Sequence, residues 1–179
     1  HLEGILGGGR DVVAQRQALQ GGLGGGCFEI VLAMEQLAMG CVGIATSFAA
    51  SALGIFPVIL AGSEELKQQY LPDIATGRRW AAFGLTEANA GSDAAGIRTT
   101  AVEDGDCWVL NGTKQWITNG GESQIYSIVA ITDPNKGARG ASIFVVEEGD
   151  PGFSYGKKEN KMGIRASATR ELVMRDCRI

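Results

Sequence analysis

Three polar stretches hold the residue types that could do chemistry in this chain. Residues 86–93, TEANAGSD, bring the hydroxyls of Thr86 and Ser92, Gly91 and a run of main-chain N–H groups directly after an apolar segment. A loop of that make-up suits a polar heteroaromatic edge or a phosphate, because glycine lets main-chain donors approach a ligand closely. It suits a plain strand-end loop with capping residues equally well. Residues 114–121, KQWITNGG, place Trp116 and Thr118 two apart. In a strand they share one face, and a ring beside a hydroxyl can stack on a planar ligand and hydrogen-bond to it. A core tryptophan with a threonine next to it is the plainer alternative. Residues 157–167, KKENKMGIRAS, offer Lys161 and Arg165 as phosphate ligands, against the simpler reading of a charged hairpin.

None of these stretches makes a catalytic set by itself. The single histidine is His1, so Ser/His and Cys/His nucleophile systems are excluded. Glu87 and Asp93 are close in sequence, but a glycosidase-like carboxylate pair needs a defined gap in space. Cys27, Cys41, Cys107 and Cys177 are dispersed, with no CxxC pair, which excludes a zinc site. No signal peptide is recognised and the chain is too large for a disulfide-stapled scaffold. The thiols are therefore expected to be buried and reduced, in a cytosolic-type compartment. A net charge of −4 lacks the electrostatic footprint of a nucleic-acid binder. The local basic clusters, Arg78-Arg79 and residues 157–178, are expected to be solvated faces.

The elements that must position these stretches change character along the chain. Residues 1–26 contain nine glycines and are expected to be a flexible start. Gly22-Leu23-Gly24 is followed by Cys27 where a dinucleotide fingerprint needs its third glycine, and no strand precedes it. From residue 28 to 39 apolar residues recur at helical spacing. Residues 36–63 carry no charge, a run long enough to span a membrane. Against a span stand the many small residues, the interruption at Pro57 and the absence of a basic anchor at either end. Small-residue helices also fill the cores of soluble bundles. Ser63-Glu64-Glu65 predicts an N-cap with acids in the first turn. That helix is expected to reach residue 70 or 71, with Pro72 in its last turn or at a kink, and Gly77 closing the helical part. Beyond residue 80 the pattern predicts short strands at 80–85, 98–102, 108–111, 115–118, 125–131, 142–146 and 171–175. Turns are expected at 104–106, 119–121, 151–152 and Asn111-Gly112, where a hairpin turn outweighs the glycosylation sequon Asn111-Gly112-Thr113. The fold class is α+β: helical residues 1–79, then a β-barrel or sandwich over residues 80–179.

FGLTEANAGSD at residues 83–93, LNGTKQWITNGG at 110–121 and the closing residues 151–179 resemble the acyl-CoA dehydrogenase family in order and spacing. LGIFPVILAGSEELKQQYLPDIATG, residues 53–77, is similar to the end of that family's amino-terminal helical domain. The likeness covers residues 28–179, and KMGIRAS and DCRI are most similar to the short-chain, butyryl-CoA type. The resemblance implies a soluble helical domain without a membrane span, a β-barrel middle domain, and FAD as cofactor. It implies FAD contacts at Phe83, Leu85, Thr86, Gly91 and Ser92 and, against the isoalloxazine ring, at Trp116, Ile117 and Thr118. Ser92 also matches a position near the CoA part of the substrate, and the small residues 45–50 match the acyl-pocket wall. Where the family often has proline after Thr-Glu, this chain has Ala88, a loss of loop rigidity but of no ligand group.

The implied reaction is oxidation of an acyl-CoA to the trans-2-enoyl-CoA, with electrons passing to an electron-transfer flavoprotein. A homotetramer in the bacterial cytoplasm or the mitochondrial matrix is implied as well. The family's carboxylate base belongs to a carboxy-terminal helical domain, so no catalytic residue is assigned within these 179 residues. The chain alone is expected to be inactive and to hold FAD weakly. An acyl-CoA oxidase on the same scaffold and a non-catalytic helical–β binding module are the alternatives.

Overall fold

The computed structural model describes residues 26–179. The glycine-rich start lies outside the described residues. Among the described residues three helices come first: α1 Cys27–Gly40, α2 Val42–Ala61 and α3 Glu64–Ala75. Glu29 reaches back to the Gly26 N–H at 2.7 Å and closes the start of α1. Ser63 caps α3 as its sequence predicts, its hydroxyl accepting from the Leu66 N–H at 3.3 Å. Gly77, at φ +72°, ends the helical part.

Pro57 departs from expectation, lying inside α2 without interrupting it. Pro72 lies in the last turn of α3 as its sequence predicts, and that helix runs a few residues further than expected, to Ala75. A proline removes one main-chain bond, and buried neighbours pack the helices at both positions: Ile55 and Val58 beside Pro57, Tyr70 and Leu71 just before Pro72.

The strands are β1 Ala81–Gly84, β2 Thr100–Asp104, β3 Cys107–Thr118, β4 Ile125–Ile131, β5 Ala141–Glu147, β6 Phe153–Tyr155 and β7 Thr169–Arg178. They form one mixed sheet in the order β1-β4-β2-β3-β7-β6, with β5 on the other side of β4. The sheet curls around a core of Leu110, Ile117, Tyr126, Ile128, Val146, Leu172 and Met174. Strand β4 is the hinge of the arrangement. Tyr126, Ile128 and Ala130 face that core, while Ile125 packs against Ile55, Val58, Tyr70 and Leu71 of the helices. Covered on both faces, it has lost the alternation of a half-exposed strand.

Two pairings lay outside the sequence reading. β1 runs parallel to β4, and β2 meets the far end of β4 in parallel at Thr100 and Ile131. The expected strands 108–111 and 115–118 are one strand, and Asn111-Gly112 is no hairpin turn. β7 is long enough to pair along the whole of β3, and the ladder slips once between Leu110 and Gly112 and again between Lys114 and Ile117. Gly112 takes φ +151° at the first slip, and a Cβ there would lie 2.4 Å from Thr99 Oγ1. Asn111 spends its amide on Asp176: Nδ2 donates to Oδ1 at 3.1 Å, and the Asp176 N–H donates to the Asn111 Oδ1 at 2.9 Å. The expected burial of the thiols holds only for Cys177, which burial pushes up to about 11; Cys27 is exposed.

α2 is long and apolar enough to cross a membrane by length and composition. Here it lies against the sheet, held by polar bonds at three depths. Its Ser51 hydroxyl accepts from the Ala81 N–H at 3.0 Å, its Gly54 carbonyl accepts from Ser127 Oγ at 2.6 Å, and its Ser47 carbonyl accepts from Asn119 Nδ2 at 2.8 Å. Gly54 permits the approach, since a Cβ there would stand 2.5 Å from the Ala82 nitrogen. α3 is tied to β5 by Tyr70, whose hydroxyl donates to Glu147 at 2.8 Å, and Arg79, just past the helix, forms an ion pair with the same carboxylate.

Candidate functional site

The first two polar stretches, 27 residues apart at Glu87 and Lys114, come together through direct bonds. β1 ends at Gly84, and the chain turns over the end of β3. The Gln115 N–H donates to the Thr86 carbonyl at 2.8 Å, and Lys114 Nζ donates to the Leu85 carbonyl at 3.1 Å. With these carbonyls turned toward β3, the loop that follows is fixed at its root. Glu87 and Ala90 then close a tight turn with reciprocal N–H to carbonyl bonds of 3.1 Å each. Ala90 and Ile97 anchor the loop beneath, packing with Val129 against half-buried Phe83 and Leu85. Residues 91–95, including Gly91 and Ser92, are left exposed. No neighbour lies within 4 Å of a Cβ built on Gly91, so the protein's own packing does not require glycine there.

On β3 the second ladder slip sets the direction of the tryptophan. Trp116 takes φ +61°, a left-handed conformation that a bulky residue adopts only when its surroundings impose it. Its indole is 57% exposed, so it is not the core tryptophan of the plainer alternative. Ile117 is turned into the barrel core at 3% exposure, and any contact it makes with a ligand is through its main chain. Thr118 is half-buried. Among the described residues, the side-chain hydroxyls of Thr86, Ser92 and Thr118 have no protein hydrogen-bond partner. A half-exposed ring and free hydroxyls around one loop and one strand end suit a planar ligand with polar edges.

Asn119 joins this strand end to the helices. Besides its bond to Ser47, its N–H donates to the Ala168 carbonyl at 3.0 Å, and the residue is 1% exposed. Ala166 packs on Gly43 of α2, where a Cβ would come 2.8 Å from its own. The third stretch therefore folds across the start of α2, and it is a loop, not a hairpin. Its cations hold the loop itself: Lys161 Nζ donates to the Ser167 carbonyl at 2.6 Å, and Arg165 Nε donates to the Lys161 carbonyl at 2.8 Å. These bonds use one donor of each cation to shape the loop itself.

What sequence reasoning missed is the ion pair under the loop. Lys114 Nζ lies 2.7 Å from Glu87 Oε1, with the two side chains 0% and 10% exposed. The same oxygen accepts from the Thr99 N–H at 2.9 Å and from Thr99 Oγ1 at 2.6 Å, and Oε2 accepts from the Arg98 N–H at 2.7 Å. Glu87 is thus fully engaged and forms no pair with Asp93. Burial raises its carboxyl, but the bonds from Lys114, Thr99 and the Arg98 N–H outweigh burial and hold it below its ordinary value. For Lys114, burial lowers the ammonium and Glu87 offsets only part of that.

Because the Glu87 carboxyl titrates lower in the fold than in the unfolded chain, its contribution to stability is complete above the ordinary value of 4.5. It drains away as pH falls through the lower folded value, where the unfolded chain already binds the proton. Thermal melts of wild type and Glu87→Gln across pH 3–7 should show a difference that is constant near neutrality and shrinks below about pH 4.5.

Comparison with known proteins agrees with this arrangement. The family profile described as acyl-CoA dehydrogenase, N-terminal domain, matches residues 17–78, and that of the middle domain matches residues 82–177. A probable acyl-CoA dehydrogenase of Mycobacterium leprae, fadE25, is 48% identical over 159 residues, covering 89% of this chain and 41% of its own length. The solved butyryl-CoA dehydrogenase of Megasphaera elsdenii superposes with a TM-score of 0.81 at 45% identity, covering 83% of this chain and 39% of that one. An acyl-CoA dehydrogenase of Bacillus anthracis, solved in complex with FAD, gives 0.71 at 41% identity over 76% of this chain and 23% of that one. The chain thus spans about two fifths of the length of the curated relatives it matches. With two adjoining profiles covering most of its length and the same curled sheet behind three helices, the chain belongs to the acyl-CoA dehydrogenase family, of which it carries the N-terminal and middle domains.

Proposed function

We propose that the chain is the cofactor- and thioester-binding part of an enzyme that oxidises a short acyl-CoA to its trans-2-enoyl-CoA with FAD. One observation carries the reading: the loop after β1 and the end of β3 meet around an exposed Trp116 and the free hydroxyls of Thr86, Ser92 and Thr118. Those groups fit a flavin, whose tricyclic ring offers a face to an indole and an edge of acceptors and donors to hydroxyls and main chain. Phe83, Leu85, Thr86, Gly91 and Ser92 would hold it from the loop, and Trp116, Ile117 and Thr118 from the strand. FAD, when bound, supplies the acceptor for the hydride that leaves the β-carbon.

The chain's own part is to orient and enclose. Thr86 and Thr118 would hydrogen-bond the ring edge, and Trp116 would cover a face and keep water from it. Ser92, exposed on the loop, would also meet the CoA portion. Ala45 of α2 is buried, and Ala49 and Ala50 are half-buried beside it, a narrow wall suited to a short acyl chain. The α-proton goes to a carboxylate outside these residues, in this reading from a carboxy-terminal helical domain. The chain alone is therefore inactive and holds FAD weakly. An electron-transfer flavoprotein takes the electrons, and the assembled enzyme is a homo-oligomer.

The test is the visible spectrum of the full-length protein. Bound flavin that is bleached by butyryl-CoA faster than by long-chain acyl-CoAs is the expected result, with electrons delivered to an electron-transfer flavoprotein in preference to oxygen. No flavin, or flavin that no acyl-CoA bleaches, would sink the reading.

A further inference from the structure

We infer that the buried Glu87–Lys114 pair is a positioning latch, which sets the course of loop residues 88–97 before any flavin binds. The inference rests on the cofactor reading above and adds two residues to it that touch no ligand themselves. Glu87 stands at the start of the loop, while Arg98 and Thr99, whose main-chain N–H groups it accepts, stand at its end. One carboxylate therefore ties both ends of the loop together and, through Lys114, ties them to β3 two residues before Trp116. Lys114 makes the connection in both directions, since its ammonium also holds the Leu85 carbonyl.

The energetics favour a role in geometry over one in bulk stability. A buried ion pair recovers little beyond the cost of stripping water from its two charges, and apolar side chains of similar size would often do as well. What apolar side chains cannot do is accept four directed hydrogen bonds at one point. The loop needs such a point. Residues 88, 89 and 91–95 are exposed, with only Ala90 and Ile97 packed beneath. Each residue ordered at the moment of binding costs backbone entropy. A loop held in place beforehand spares the ligand that cost, which is how preorganisation raises affinity.

The test compares full-length wild type, Glu87→Gln/Lys114→Met and Tyr70→Phe. The double variant removes both charges together and leaves no buried ion unpaired. Tyr70→Phe weakens the tie between α3 and β5, at the opposite end of β1, and controls for general loss of stability. Three readouts are taken: FAD affinity by flavin fluorescence, the position of the visible flavin band, and hydrogen exchange of the Arg98 and Thr99 amides without FAD. The double variant is expected to bind FAD at least about tenfold more weakly, with a shifted band and faster exchange at both amides, because the latch and its preorganisation are lost. Tyr70→Phe is expected to keep wild-type affinity. Binding by the double variant within about twofold of wild type, with an unchanged band, overturns the inference, as does an equal loss in Tyr70→Phe. Should the double variant not fold, Thr99→Val decides, since it removes one bond to the carboxylate and no charge. A loss of about threefold supports the latch, and an unchanged affinity overturns it. A wild-type protein that binds no FAD strikes the cofactor reading itself, and so is told apart from a latch that fails in the variants alone.

Discussion

Lys114→Ala is expected to destabilise the full-length protein by about 3 kcal/mol or more. The reason is what remains behind. Glu87 is 10% exposed and would lose its counter-ion while staying buried, and its three other donors only partly compensate. Removing one member of a buried pair typically costs about 3–5 kcal/mol, chiefly the penalty on the charge left unpaired. Lys136 gives the contrast. It pairs with Asp133 at 3.0 Å, but the two side chains are 68% and 35% exposed. Lys136→Ala is expected to cost under about 1 kcal/mol, since water replaces the lost partner. Denaturant unfolding of the two variants side by side measures the difference, and similar losses would show that burial at Lys114 is not what governs the pair.

Gly54→Ala should also destabilise, although alanine is the better helix former by about 1 kcal/mol. The added methyl would lie 2.5 Å from the Ala82 nitrogen and 2.8 Å from the carbonyl carbons of Ala81 and Ala82. These are main-chain atoms of a strand paired to β4, and they cannot rotate aside. Relief requires α2 to lift from the sheet, which stretches the bond between the Gly54 carbonyl and Ser127. Overpacking of this kind costs about 1–3 kcal/mol or more, and contacts with main chain belong at the upper end. The net loss is expected to be about 2 kcal/mol, read as a lower melting temperature. Gly40→Ala at the end of α1 is the matched control. Nothing lies within 4 Å of its added methyl, so only the helix preference acts, and the protein should gain slightly.

What could be read in the sequence was local. Ser63 with its acids announced α3, because a cap and a helix dipole act within one turn. Short β-branched and aromatic runs set apart by turn residues placed most strands, and the spacing of FGLTEANAGSD to KQWITNGG pointed to two parts of one site. The misreadings arose where distant chain segments decide. Asn111-Gly112 has the composition of a hairpin turn, yet Asp176, 65 residues away, claims the asparagine and β7 keeps the strand running. The parallel pairing of β1 with β4 left no trace in either strand, since pairing direction is set by the crossover and not by composition. Glu87 and Lys114 were each in view within their motifs. Their partnership was not, because an ion pair across 27 residues has no periodic signature.

The course of the chain through β4 has a consequence for how the protein is made. α2 emerges first, uncharged and apolar, but the surface it docks on needs both β1 and β4, and Ala81 pairs with Ile125, 44 residues later. The seat for α2 is complete only once Ile131 has been added, about seventy residues after the helix ends. At ordinary synthesis rates that interval is roughly 4–14 s. For that time a helix with the hydropathy of a membrane span has no finished sheet to dock on, and apolar surface left open in this way is what makes a partly made chain prone to aggregate.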